Sequence, residues 1–205
     1  MLQERKAELA RNFKNRNIEV FFFNTIKDVK KRIMELISND STVGIGNSQT
    51  LKEMKISGTL NDRGNIVFDK TLAKSKEEIK KLKKKALLAD WYITGTNAVS
   101  VDGHIVNIDH SGNRVAAMIY GPEKVIIVVG KNKICETLED AVERARNISA
   151  PLNAKRAGYN PPCIEMKKCV DCKTKERVCF NLVIIEGQCE KGRIQLFVVN
   201  EEAGF

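Results

Sequence analysis

Aromatic residues are scarce in this chain, 6% of 205 residues with a single tryptophan, and histidine is scarcer, with two. Long apolar runs are missing as well. Runs such as Val125–Val129 and Leu182–Ile185 are strand-sized, far short of the roughly 20 residues that span a bilayer. The opening Met1-Leu2-Gln3-Glu4-Arg5-Lys6 lacks the apolar segment of a secretory signal. Neither a phosphate loop ending Gly-Lys-Ser/Thr nor a dinucleotide glycine fingerprint occurs, so no nucleotide cofactor motif is read. A cytoplasmic protein with no membrane span is expected. In that compartment the six cysteines are expected as thiols or metal ligands rather than disulfides.

What is present suits one domain spanning residues 1–205, since a domain typically runs to roughly 100–200 residues. A chain of this size buries roughly 70% of its unfolded surface and needs no disulfide staples. Apolar and charged fractions of 42% and 30% are ordinary. The net charge of +9 admits two readings. Its densest basic run, Lys80-Lys81-Leu82-Lys83-Lys84-Lys85, sits beside Glu77 and Glu78 in an amphipathic helix pattern, which reads as a solvated face. No aromatic alternates with these lysines, so nucleic-acid binding is the weaker reading.

Periodicity predicts a surface helix over 2–16 with Leu2, Leu9 and Phe13 on its apolar side. It predicts strands at 18–23, 41–45, 66–68, 91–94, 124–129, 181–186 and 193–199. Helices are expected at 25–37, with Thr25 as N-cap, at 51–54, at 75–89, capped by Ser75 with Glu78 in capping-box register, and at 113–120. A further helix over 138–148 should end before Pro151. Asp102-Gly103 is a hairpin turn between two β-rich runs within 98–108. Alternating strands and helices argue for an α/β fold, an open, mostly parallel sheet between two helical layers. The two closing strands, with no helix between them, are expected as an antiparallel or hairpin addition. Candidate joints are Lys55–Gly64 and Ala154–Arg177, the latter long for a structureless loop.

Three segments carry chemistry. Gly44-Ile45-Gly46-Asn47-Ser48-Gln49-Thr50 leaves a strand and opens a helix, which exposes backbone N–H groups to an anion or simply forms a tight turn capped by Ser48. Thr94 to Arg114 gathers small, amide and hydroxyl side chains at the carboxyl end of a strand, where open α/β sheets bind ligands. There Asn97, Asn107, Asp109 and Asn113 can hold hydroxyls, carboxylates or phosphates, and Arg114 can pair bidentately with an anion. Asp102 and Gly103 read as turn residues. His104 and His110 are each open to acid–base work or to a solvent-facing role. Third, Cys163-x5-Cys169-x2-Cys172-x6-Cys179 brings four thiolates into one loop (154–179), enough for zinc or an iron–sulfur cluster. Lys167, Lys168, Lys173, Lys175 and Arg177 nearby would favour thiolates. Reduced thiols or a redox pair at Cys169/Cys172 is the alternative. Cys135 and Cys189 read as core residues.

The run Thr94-Gly95-Thr96-Asn97-Ala98, Asp102-Gly103, Asn107-x-Asp109 and Gly112-Asn113-Arg114 resembles the lactate-utilisation (LUD) domain family. The resemblance continues through Gly121-Pro122, Val128-Val129-Gly130-x-Asn132-Lys133-Ile134 and Arg144-x-Arg146-Asn147-x-x-Ala150-Pro151. It also takes in the four-cysteine loop and Val199-x-Glu201-Glu202-x-Gly204-Phe205. It implies a fold like that of ribose-5-phosphate isomerase, glucosamine-6-phosphate deaminase and the CoA transferases. It also implies a role in oxidising L-lactate or a related 2-hydroxyacid to pyruvate, beside iron–sulfur oxidoreductase subunits. The expected ligand-facing set is Gly46, Asn47, Ser48, Thr50, Thr96, Asn97, Asn107, Asp109, Asn113, Arg114 and Lys133, around a small anion. Asn97 stands where the methylthioribose-phosphate isomerase branch carries an acidic residue, and an amide cannot serve as acid or base. A stand-alone enzyme on a sugar phosphate or acyl-CoA, and a binding module acting through Lys80–Lys85, are the alternatives.

Overall fold

In the computed structural model, which describes residues 2–205, charged residues surround a narrow apolar stripe on the first helix. That helix, α1 (Leu2–Lys14), buries Leu9 and Phe13; the side chain of Leu2 lies outside the described residues. β1 (Glu19–Phe23) and α2 (Ile26–Leu36) follow. Thr25 caps α2 with a reciprocal box: its hydroxyl accepts from the Asp28 N–H at 3.2 Å, and the Asp28 carboxylate accepts from the Thr25 N–H at 3.0 Å. Next come β2 (Thr42–Ile45), α3 (Gln49–Met54), α4 (Ile56–Asp62) and β3 (Ile66–Asp69). α5 (Lys76–Lys85) begins at Ser75, which accepts from the Glu78 N–H at 3.1 Å. The Glu78 carboxylate reaches one residue further back, to the Lys74 N–H at 2.6 Å. Lys80, Lys81, Lys84 and Lys85 are exposed, the solvated face expected.

β4 (Trp91–Gly95), β5 (Ala98–Ser100), β6 (Ile105–Asp109), α6 (Asn113–Ile119), β7 (Lys124–Gly130), β8 (Ile134–Cys135) and α7 (Leu138–Arg144) carry the chain to its last third. It closes with α8 (Ala150–Arg156), α9 (Cys163–Met166), β9 (Asn181–Ile185) and β10 (Ile194–Val199). Six strands form an all-parallel sheet in the order β1-β10-β7-β4-β2-β3. Along β7, Val125, Ile127 and Val129 face one core with α1 and α6, while Ile126 and Val128 face a second with α2, α3 and α4. The helical layers therefore lie on both faces, as a strand apolar throughout requires. No helix of the described residues is long and apolar enough to cross a membrane.

The structure corrects four expectations. The strands form two sheets rather than one: β8-β5-β6-β9 is a separate, mixed sheet packed against the α1/α6 side. The closing strands are not a hairpin. β9 alternates exposed and part-buried residues and is an edge strand, antiparallel to β6. β10, buried at nearly every position, inserts parallel between β1 and β7. The helix after Leu138 does not end before Pro151. A π-helical turn, Ala145–Ser149, shifts the hydrogen-bond frame, so that Pro151 falls in the first turn of α8, where no N–H partner is needed. Finally, Lys55–Gly64 is no joint, because it holds α4, whose Ile56 and Leu60 are fully buried.

Candidate functional site

Parallel strands end on one side of a sheet, so the segments leaving β2, β3, β4 and β7 converge at its carboxyl edge. Close approach is built in. The Gly46 N–H donates to the Ile93 carbonyl at 2.8 Å, and a Cβ on Gly46 would lie 2.7 Å from the Thr94 Cβ. A cavity of about 250 Å³ opens where these turns meet the 105–114 segment and the end of α8.

Of the expected ligand-facing set, Asn47 and Ser48 line the cavity from the first turn, and Thr96, Asn97, Asp109, Asn113 and Arg114 line it from the second. Lys133 lines it from the turn after β7. Gly46, Thr50 and Asn107 lie behind that lining. Among those in front, several are committed to one another. Arg114 donates from Nη1 to the Gly95 carbonyl (2.9 Å) and Asn107 Oδ1 (2.6 Å), and from Nη2 to the Ile108 carbonyl (2.9 Å) and Asn97 Oδ1 (3.3 Å). Its Nε sits 3.3 Å from Asp109 Oδ2, an ion pair without the alignment of a hydrogen bond. The bidentate grip on an external anion expected of Arg114 is thus spent inside the protein, where it knits the 95–109 wall together. Asn97 also accepts from the Ile108 N–H at 2.8 Å, and its carbonyl accepts from Arg144 at 2.7 Å. The Thr96 hydroxyl is 3.0 Å from the Val106 carbonyl.

Lys133 is different. It is 3% exposed, and no hydrogen bond or ion pair holds its ammonium among the described residues. Burial lowers its pKa to about 8, with Arg144 and Arg114 pushing the same way and Glu53 opposing. Beside it Gly204 turns with φ +61; a Cβ there would lie 2.8 Å from Thr50 Oγ1 and 3.2 Å from Lys133 Nζ. Thr50 Oγ1 and Asn47 Oδ1 are buried without protein partners. On the Arg114 side, Asn107 Nδ2 and Asp109 Oδ2 are also without hydrogen-bond partners, but the cation there is held by protein acceptors, whereas that of Lys133 is not.

Lys70, Lys83 and Arg156 also line the cavity and were not anticipated. Burial, then Lys83, lowers the Lys70 pKa, and burial lowers that of Arg156. The signal for Lys70 was available: it directly follows a parallel strand, β3. Arg156 needed the fold, which carries α8 across to the sheet edge. Asp109 is the one carboxylate side chain among the described lining residues.

The histidines divide. His110 lines the cavity between the rings of Tyr159 and Phe180, at 5.8 and 5.3 Å. His104 is buried in the hairpin with Ser100 and Asp102. Both approach the same ring nitrogen: Asp102 Oδ1 lies 2.8 Å, and Ser100 Oγ 3.3 Å, from His104 Nδ1. A nucleophilic triad needs serine and aspartate on opposite nitrogens, so this cluster locks the turn.

The four loop cysteines are half-buried free thiols. Cys169 and Cys179 line a smaller, separate cavity of about 110 Å³ with Ile108 and Phe180. Among the described residues, no three His, Cys, Asp or Glu side chains stand gathered around a metal position. Cys135 is half-buried beside α7, while Cys189 is exposed, contrary to the core position expected of it, because it lies in the turn between β9 and β10.

A three-layer α/β protein with a small cation-lined cavity at its sheet edge is thereby defined. The LUD domain family model matches residues 6–199, and the chain belongs to that family, which is associated with lactate utilisation. It is similar in fold to a crystal structure of a DUF162 family protein from Deinococcus radiodurans, at 15% identity over 96% of each chain and a TM-score of 0.52. Ribose 5-phosphate isomerase A from Methanocaldococcus jannaschii also matches, at 16% identity over 65% of this chain and 66% of that one, with a TM-score of 0.37. No curated protein sequence matches.

Proposed function

We propose that the cavity binds a small organic anion of the 2-hydroxyacid or 2-oxoacid type, lactate or pyruvate, within a lactate-oxidising system. In this reading iron–sulfur oxidoreductase subunits are its partners. The observation that carries the binding claim is Lys133, a buried ammonium without a counter-ion facing the cavity. Leaving a buried charge unpaired costs several kcal/mol, and a ligand carboxylate would supply the missing partner. Asn47 Oδ1, an unsatisfied acceptor in a lining residue, could be matched to a hydroxyl on the neighbouring carbon. The volume of about 250 Å³ falls below the roughly 300–1,000 Å³ of drug-sized ligand pockets, which suits a three-carbon acid better than an acyl-CoA. Lys70, Lys83 and Arg156 would attract anions generally, and that favours a sugar phosphate as the second reading. Against it, the lining carboxylate, Asp109, is already paired with Arg114 and is poorly placed to act as a free base.

Isothermal titration of the full-length protein with lactate, pyruvate, inorganic phosphate and ribose 5-phosphate separates these readings. Saturable binding of lactate or pyruvate, lost in Lys133→Met and weakening as pH rises through about 8, is expected. Phosphate and ribose 5-phosphate binding with no response to either acid would replace this reading with the second.

A further inference from the structure

The four-cysteine segment has a pattern that the cavity does not explain. Between Tyr159 and Phe180 the only helix is the short α9, and only Pro161 and Val178 are fully buried. No apolar core of its own holds this stretch. Yet Cys163, Cys169, Cys172 and Cys179 are all half-buried, while Lys167, Lys168, Lys173 and Lys175 are exposed. The backbone is drawn around the thiols. Arg177 donates to the Cys172 carbonyl at 2.8 Å and to the Cys179 carbonyl at 3.2 Å, and the Cys169 N–H donates to Asn147 Oδ1 at 2.8 Å. Lys167 and Asp171 adopt left-handed conformations, φ 52 and 44, which fold the chain back on either side of Cys169. Cys169 and Cys179 line one small cavity together with Arg177. Neighbouring thiols held in one loop are stabilised as thiolates by a metal cation.

We propose that Cys163, Cys169, Cys172 and Cys179 together hold one tetrathiolate metal centre, which pins residues 159–180 as a wall of the ligand cavity. The donor set is that of structural zinc or of an iron–sulfur cluster. Binding displaces the thiol protons and leaves a centre of net negative charge, which the surrounding lysines and Arg177 offset. The four sulfurs do not surround a common metal position in this structure and would have to move toward one on binding. Tyr159 and Val178 belong both to this segment and to the lining of the 250 Å³ cavity, so the centre would set where that wall stands. The proposal is independent of which anion the cavity binds.

The test uses full-length protein purified without oxygen, analysed for zinc, iron and acid-labile sulfide. Metal-stripped, reduced protein is then titrated with Co(II). One zinc per chain, or iron with matching sulfide and a broad visible absorbance, is expected. Co(II) should give the intense bands of a tetrahedral thiolate site and be displaced by zinc. Cys169→Ser and Cys172→Ser should each weaken Co(II) binding by at least about tenfold, while Cys189→Ser, outside the segment, should leave it unchanged. Metal should also slow proteolytic cleavage within 159–180, a readout separate from any activity. Metal-free wild-type protein that fails to bind Co(II) with its thiols reduced would overturn the proposal. So would Co(II) binding that persists in correctly folded Cys169→Ser and Cys172→Ser variants, as judged by circular dichroism.

Discussion

Two basic residues at the site behave in opposite ways. Arg114 has satisfied its donors within the protein and serves as a tie-rod for the 95–109 wall. Lys133 has satisfied none, and the cavity is where its charge is directed. That difference has a thermodynamic sign. Because folding lowers the Lys133 pKa from 10.5 to about 8, the unfolded chain binds more protons between those values. The contribution of this group therefore makes stability rise with pH across that window, and the penalty is complete below about 8. A shift of this size corresponds to roughly 3 kcal/mol. Lys133→Met, which keeps the apolar stem, should raise stability near pH 7 by about 1–3 kcal/mol and flatten the rise of stability with pH between about 8 and 10.5. Urea denaturation at pH 7 and pH 10 measures both. From the sequence, Lys133 entered only through its place in the Asn132-Lys133-Ile134 run, since burial of a lone lysine has no local signature. The donors of Arg114 could likewise not be assigned, because its acceptors come from 95, 97, 107 and 108.

At the scale of elements, local chemistry was readable wherever it was self-contained. The Thr25–Asp28 box, the Ser75 cap and the Asp102-Gly103 hairpin all formed where their side chains required. What failed was long-range. Ile194–Val199 and Asn181–Ile185 are both β-rich, and nothing between them reveals that one fills the middle of the main sheet and the other edges a second. In hindsight the burial patterns differ, since β10 is apolar on both faces and β9 alternates. Pro151 reads as a helix stop in the sequence, because propensity carries no signal for the π-helical turn that precedes it. The buried Arg193 is a similar case: it donates to the Ala117, Met118 and Pro122 carbonyls and anchors the end of α6 from the far end of the chain. The turn after β2 yields a direct prediction. A methyl group at Gly46 would collide with Thr94 on β4, so Gly46→Ala should destabilise by about 1–3 kcal/mol, as overpacking of a tight site does. Thermal unfolding by circular dichroism checks it.

For the whole molecule, the parallel sheet explains why the site lies where it does. Turns distant in sequence, after β2, β3, β4 and β7, reach one edge because their strands run the same way. The sequence located this edge through the Gly44–Thr50 and Thr94–Arg114 segments. It missed Lys70, Lys83 and Arg156, whose contribution depends on how the third strand and α8 are placed. The basic residues behind the +9 net charge include a solvated lysine face on α5, exposed lysines of the cysteine loop, and a smaller group lining the cavity. The central claim is that Lys133 waits there for an anionic ligand. It is tested most directly by titrating lysine side chains with NMR, in wild type and Lys133→Met, with and without pyruvate. The account predicts a signal, absent from Lys133→Met, that titrates near 8 and moves to higher pH when pyruvate is added. A Lys133 signal titrating near 10.5 and indifferent to pyruvate would contradict it.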